Sequence, residues 1–115
     1  METVTSNGQE TLLDGNITET QLHNWKNKYG KLIKVESEND EGEPRFAYFR
    51  KPTMATRAAV LETSKVDEFK ALEVLFKNCY LGGDEEVKED DDLKLSVITA
   101  FAELTQPKEA KAKKI

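Results

Sequence analysis

The segment Arg45-Phe46-Ala47-Tyr48-Phe49-Arg50 constrains the fold most. Side chains alternate across a strand, so Phe46 and Tyr48 lie on one face while Ala47 and Phe49 lie on the other. A preceding run, Lys31-Leu32-Ile33-Lys34-Val35, places Ile33 and Val35 on one face. Between the two runs lies a polar loop, Ser37 to Pro44, that contains Gly42. This pattern predicts a two-stranded antiparallel hairpin with a longer loop rather than a tight two-residue turn. A lone hairpin is marginal in water, so its aromatic face needs helices packed on it.

Helix signals flank the hairpin on both sides. Thr18 with Gln21 three residues later makes a capping-box signature, and Leu22, Trp25 and Tyr29 share one helical face up to Gly30. Pro52 ends the second strand, and Thr53 caps a short helix over 54–62 whose Ala55, Ala58 and Ala59 would allow close packing. A longer helix is expected over 66–80, with Phe69, Leu72, Leu75, Phe76, Cys79 and Tyr80 on its apolar stripe and Gly82-Gly83 as its stop. The last helix starts near Asp90–Asp92 and buries Leu93, Val97, Ile98, Phe101 and Leu104. The expected class is α+β: a helix, a two-stranded antiparallel hairpin, then a short helix and two longer helices packed on it.

Organisation along the chain follows from where the apolar residues are. Residues 1–17 are polar and read as a flexible head, 18–106 as a single domain, and 107–115 as a basic tail. The start, METVTSNGQE, lacks the basic and apolar pattern of a signal peptide, and no apolar run is long enough to cross a bilayer. The expectation is a cytoplasmic protein with no membrane partner.

Charge narrows the function classes. Lys plus Arg is 17 against 22 Asp plus Glu, a net charge of -5. An acidic chain is a poor general ligand for nucleic acid, which is held through phosphate neutralisation. The acids gather in the 36–43 loop and in a run from Asp84 to Asp92, whereas residues 44–83 hold 7 basic against 4 acidic groups. Asp84, Glu85, Glu86, Glu89, Asp90, Asp91 and Asp92 lack the alternating ligand order and central glycine of an EF-hand. The ordinary reading is a solvated loop that caps the last helix.

No catalytic pattern emerges. One cysteine and one histidine exclude an intrachain disulfide and cysteine- or histidine-rich metal centres. His23 has no second ligand nearby, and Cys79 lies on an apolar stripe without a base beside it. There is no phosphate-binding glycine loop and no Ser-centred elbow. The chain is read as non-enzymatic, with no cofactor or metal. Arg45, Arg50, Lys51 and Arg57, interleaved with aromatics, suit contact with an acidic partner protein. The same charges also suit a solvated strand edge protected from aggregation.

Four strings together carry a resemblance: Trp25-Lys26-Asn27-Lys28-Tyr29-Gly30-Lys31, Tyr48-Phe49-Arg50-Lys51-Pro52-Thr53, Asn78-Cys79-Tyr80-Leu81-Gly82-Gly83-Asp84-Glu85-Glu86, and Asp90-Asp91-Asp92-Leu93. Over about residues 20–105 the chain resembles small phage and prophage proteins of tail gene clusters, most of all tail assembly chaperones. The resemblance implies a non-enzymatic helper that keeps the long helical tape measure protein soluble until tail tube subunits displace it. Its partner would be a tape measure or tail tube protein. The candidate contacts are Arg50, Lys51 and Arg57, with Tyr80, Leu81, Gly82, Gly83, Asp84 and Glu85 forming a distinctive loop. The rival readings are a small virion structural or accessory subunit, or an acidic regulatory protein that binds a host factor.

Overall fold

A computed structural model of the chain describes residues 11–115. Helix α1 spans Glu19–Tyr29, strands β1 and β2 span Leu32–Glu38 and Pro44–Arg50, and helices α2 and α3 span Met54–Ser64 and Glu68–Cys79. Strand β3 (Tyr80–Gly83), the short helix α4 (Glu86–Glu89) and helix α5 (Asp91–Leu104) complete the chain. The class is α+β, and the hairpin is antiparallel from Leu32↔Arg50 to Glu38↔Pro44.

Local chemistry sets the helix starts. The Thr18 hydroxyl accepts from the Gln21 amide at 3.0 Å while the Gln21 side chain accepts from the Thr18 amide at 2.9 Å, a complete capping box. Thr53 accepts from the Thr56 amide, Asp67 from those of Phe69 and Lys70, and Asp90 from those of Asp92 and Leu93. Each oxygen satisfies amides that the helix itself leaves unpaired.

The sheet corrects the sequence reading. It has three strands in the order β1-β2-β3, so β2 is central. Gly82-Gly83 does not follow a helix as a loop; it forms the edge strand β3, paired antiparallel to β2 through Ala47↔Gly83, Tyr48↔Gly82 and Phe49↔Tyr80. The register slips between Tyr48 and Phe49, which leaves Leu81 as the extra residue of a bulge. The glycines answer to distant neighbours. A Cβ on Gly83 would stand 2.3 Å from the Phe46 carbonyl oxygen, and one on Gly82 would stand 2.8 Å from the Trp25 ring. Gly83 therefore demands a residue without a side chain, and Gly82 is favoured as one by the ring above it, for reasons that local sequence does not carry.

Both faces of β2 are covered. On one, Ala47 and Phe49 are fully buried in a core with Val35, Leu75, Phe76, Cys79, Val87, Leu93, Val97, Ile98 and Phe101. Phe49 stacks on Phe101 at 4.3 Å and meets Phe76 and Tyr80 edge-on at 5.9 and 5.7 Å. Removing each such ring from water contributes about 2–3 kcal/mol. On the other face, Tyr48 packs against Trp25 at 5.9 Å and donates its hydroxyl to the Asp14 carbonyl at 2.8 Å.

That second contact corrects the flexible head. Residues 1–10 lie outside the described residues, but 11–17 fold back over the sheet. Leu12 bridges to Thr18, Ile17 is buried, and Asp14 pairs with Lys34 at 2.6 Å. Other expectations also change. Phe69 and Leu104 are exposed rather than buried, at 69% and 67%. They sit in the first turn of α3 and at the last position of α5, so each apolar stripe is longer than the layer that covers it. Ala55, Ala58 and Ala59 face solvent, while Thr56, Arg57 and Val60 turn inward. The acidic run contains the short helix α4, whose Val87 is buried.

The two glycines should respond differently to alanine. Gly83→Ala meets backbone at a φ of +147° and should cost about 3 kcal/mol or more. Gly82→Ala meets only a ring edge that can move, and should cost about 1 kcal/mol. Urea unfolding of both variants measures the difference.

Candidate functional site

The distinctive string Tyr80–Glu85 is used mostly by the fold. Tyr80 is half-buried and stacks on Phe76 at 4.6 Å. Burial, with the charges of Glu85 and Asp84 added, pushes its phenol up to about 12. Leu81 is half-buried in the bulge, Gly82 lies under Trp25, and Gly83 lies against the backbone of β2. Asp84 prolongs the strand pairing: its amide donates to the Phe46 carbonyl at 2.9 Å, and its carboxylate accepts from the Phe46 amide at 2.8 Å. Glu85 alone in this string is exposed, and it pairs with Lys88 at 3.6 Å.

Of the remaining acidic residues, Glu86 and Asp90 are engaged by the fold, while Glu89, Asp91 and Asp92 are exposed. Glu86 accepts from Arg45 Nε at 2.7 Å and from Asn39 Nδ2 at 3.2 Å. Arg45, more than Asn39, holds its carboxyl below the ordinary value. Asn39 is 8% exposed and organises the β1–β2 loop: its carbonyl oxygen accepts from the amides of Glu41 and Glu43. Asp90 caps α5. Among the described residues, no group of three or more His, Cys, Asp or Glu is placed to hold a metal ion. Cys79 is fully buried, and burial pushes its thiol up despite the opposing charges of Arg50 and Arg57. His23 lies on the exposed side of α1, 3.1 Å from the Asn27 amide nitrogen.

The basic group expected from sequence divides between two faces. Arg50 turns toward α1, its guanidinium 5.0 Å from the Tyr29 ring centre. Arg57 turns toward α5 and donates to the Thr105 carbonyl at 3.0 Å, which neutralises the end of that helix. Lys51 is exposed and lines a cleft with Arg57.

Apolar side chains left in water mark another surface. A groove of about 320 Å³ runs between α3 and α5, lined by Phe69, Leu72, Phe76, Leu95 and Ile98. Phe69 is 69% exposed and Leu95 39% exposed. Lys94 spans the groove: its ammonium lies 4.9 Å from the Phe76 ring centre and 3.8 Å from a Glu73 carboxylate oxygen. Apolar residues framed by both charge signs are suited to the apolar stripe of an amphipathic helix. Sequence periodicity had assigned Phe69 to the core, so it missed the surface; the signal available was its place in the first helical turn, next to Asp67.

No helix among the described residues is long and apolar enough to cross a membrane. Comparisons with protein-family profiles, with curated proteins and with solved structures each found no match to this chain.

The Arg45–Glu86 pair gives a pH prediction. Because folding lowers the Glu86 pKa, its contribution is complete above the ordinary value of 4.5 and is lost as pH falls through the lower folded value. Wild type should exceed Glu86→Gln in stability at neutral pH, with the gap closing in acid. Thermal melts of both proteins across pH 7 to about 3 test this.

Proposed function

We propose that the chain is a non-enzymatic, tail assembly chaperone-like protein that binds a helical segment of a phage tape measure or another tail protein. The observation that carries this reading is the α3–α5 groove, where Phe69 and Leu95 stand exposed over Leu72, Phe76 and Ile98. An exposed aromatic ring beside aliphatic side chains is a costly surface to leave in water unless a partner covers it. A tape measure protein is long and helical, so its exposed apolar stripes need cover before assembly. The resemblance in the strings around Trp25, Tyr48, Cys79 and Asp90 supports the same reading.

The mode is helix-in-groove recognition. Phe69 is the anchor, since aromatic residues dominate binding energy where they insert into a partner. Lys94, Glu73 and Lys70 form the charged rim that sets register. The acidic remainder of the chain keeps a loaded complex dispersed.

Phe69→Glu should abolish capture of the tape measure protein, a loss of about 2 kcal/mol or more, and leave the melting temperature nearly unchanged because the ring is already in water. Co-purification of the tagged chain with proteins of the neighbouring tail genes tests this. Recovery of no tail protein by the unmutated chain rules the reading out. Many copies of the chain in purified particles would instead identify a virion subunit.

A further inference from the structure

A second surface lies at the other end of α5, at the end of the sheet where β1 begins and β2 ends. A cleft of about 410 Å³ there is lined by Leu32, Ile33 and Leu104, with Lys31, Lys51, Arg57 and Lys108 as its only charged residues. It adjoins an apolar groove of about 430 Å³ between α2 and α5, in which Val60, Leu61, Leu75 and Ala102 are joined by a single charge, Arg57. Every charged side chain along both clefts is a cation, in a chain of net charge -5.

The cations here are also unmatched. Elsewhere among the described residues Lys34, Arg45, Lys65, Lys88 and Lys94 each have a carboxylate partner, whereas Lys26, Lys28, Lys70 and Lys77 do not, so what sets the cleft apart is its charge of one sign beside apolar lining. Among the described residues no carboxylate pairs with Lys31, Lys51 or Lys108, and all three are exposed. Leu61 and Leu104 are 62% and 67% exposed on the same surface. The carboxylates of the β1–β2 loop and of α4 gather at the opposite end of the strands: Glu38 pairs with Pro44 there, whereas Leu32 pairs with Arg50 here.

We infer that this basic-rimmed cleft docks an acidic amphipathic segment of a partner protein, its aliphatic residues against Leu61, Ala102 and Leu104 and its carboxylates facing Lys31, Lys51 and Lys108. Charge complementarity selects the occupant. A basic or neutral helix would gain only the apolar contact, whereas an acidic one adds several charge pairs and a faster encounter. The lining is aliphatic, with no aromatic ring on which a nucleobase would stack, which separates this cleft from a single-stranded nucleic-acid platform. Arg57 is already committed to the Thr105 carbonyl, so it holds the α2–α5 wall, and the lysines are left to bind.

The inference rests on the reading of the chain as a protein-binding module, but its test uses no tail protein. The isotope-labelled full chain is titrated with a short helical peptide of leucine and glutamate at low salt. Amide shifts should concentrate at residues 31–33, 51–57 and 104–108. Lys31→Glu with Lys51→Glu should weaken binding roughly tenfold. Lys26→Glu with Lys77→Glu changes net charge equally at exposed sites outside the cleft and should weaken it little. Equal losses in the two double variants, shifts confined to the α3–α5 groove, equal binding of an oligothymidylate, or no saturable binding would each overturn the inference. Failure here leaves the α3–α5 reading to its own co-purification result.

Discussion

Tyr48 and Phe49 are neighbours in the chain and point to opposite sides of the sheet, so one strand has to be covered twice. The rest of the fold answers that requirement. Phe49 is enclosed by Phe76, Tyr80 and Phe101 from α3, β3 and α5. Tyr48 is enclosed by Trp25 from α1 and by the turn at Asp14. A hairpin alone would also leave one edge of the aromatic strand open to other chains. Strand β3 closes that edge, and it comes close enough only because Gly82 and Gly83 carry no side chain.

What the sequence showed and what it hid divide along the range of the interaction. Thr18, Thr53 and Asp90 lie within a few residues of the amides they cap, so those helix starts were legible. The β1–β2 pairing was legible because alternation and the Ser37–Pro44 loop are local. Strand β3 was not, because a double glycine after a helix is an ordinary stop, and its actual cause is a carbonyl at Phe46 and a ring at Trp25, both far away in the chain. The turn at 11–17 was hidden for a related reason. Its hold on the sheet comes mainly from the Asp14 carbonyl and carboxylate and the buried Ile17, not from an apolar run.

The same division explains the candidate site. Tyr80 to Asp84 stood out in the sequence and turned out to serve the fold, whereas Phe69 read as core and faces solvent. Periodicity reports which residues share a helix face but not how far the opposing layer reaches. Charge was more legible. The basic middle of an acidic chain becomes a basic strand end in space, although Arg50 and Lys51, adjacent in sequence, part company: Arg50 turns to Tyr29 of α1 and Lys51 lines the cleft with Arg57. An apolar groove thus lies beside one end of α5 and a cation-lined cleft beside the other.

The central structural claim is that β3 seals the aromatic strand beneath Trp25. A nuclear Overhauser measurement on the labelled full chain tests it most directly. The Gly82 α-protons should show cross-peaks to the Trp25 indole and resonances displaced by its ring, and the Asp84 amide should be protected from exchange by the Phe46 carbonyl. Random-coil Gly82 resonances with no contact to Trp25 would contradict the account.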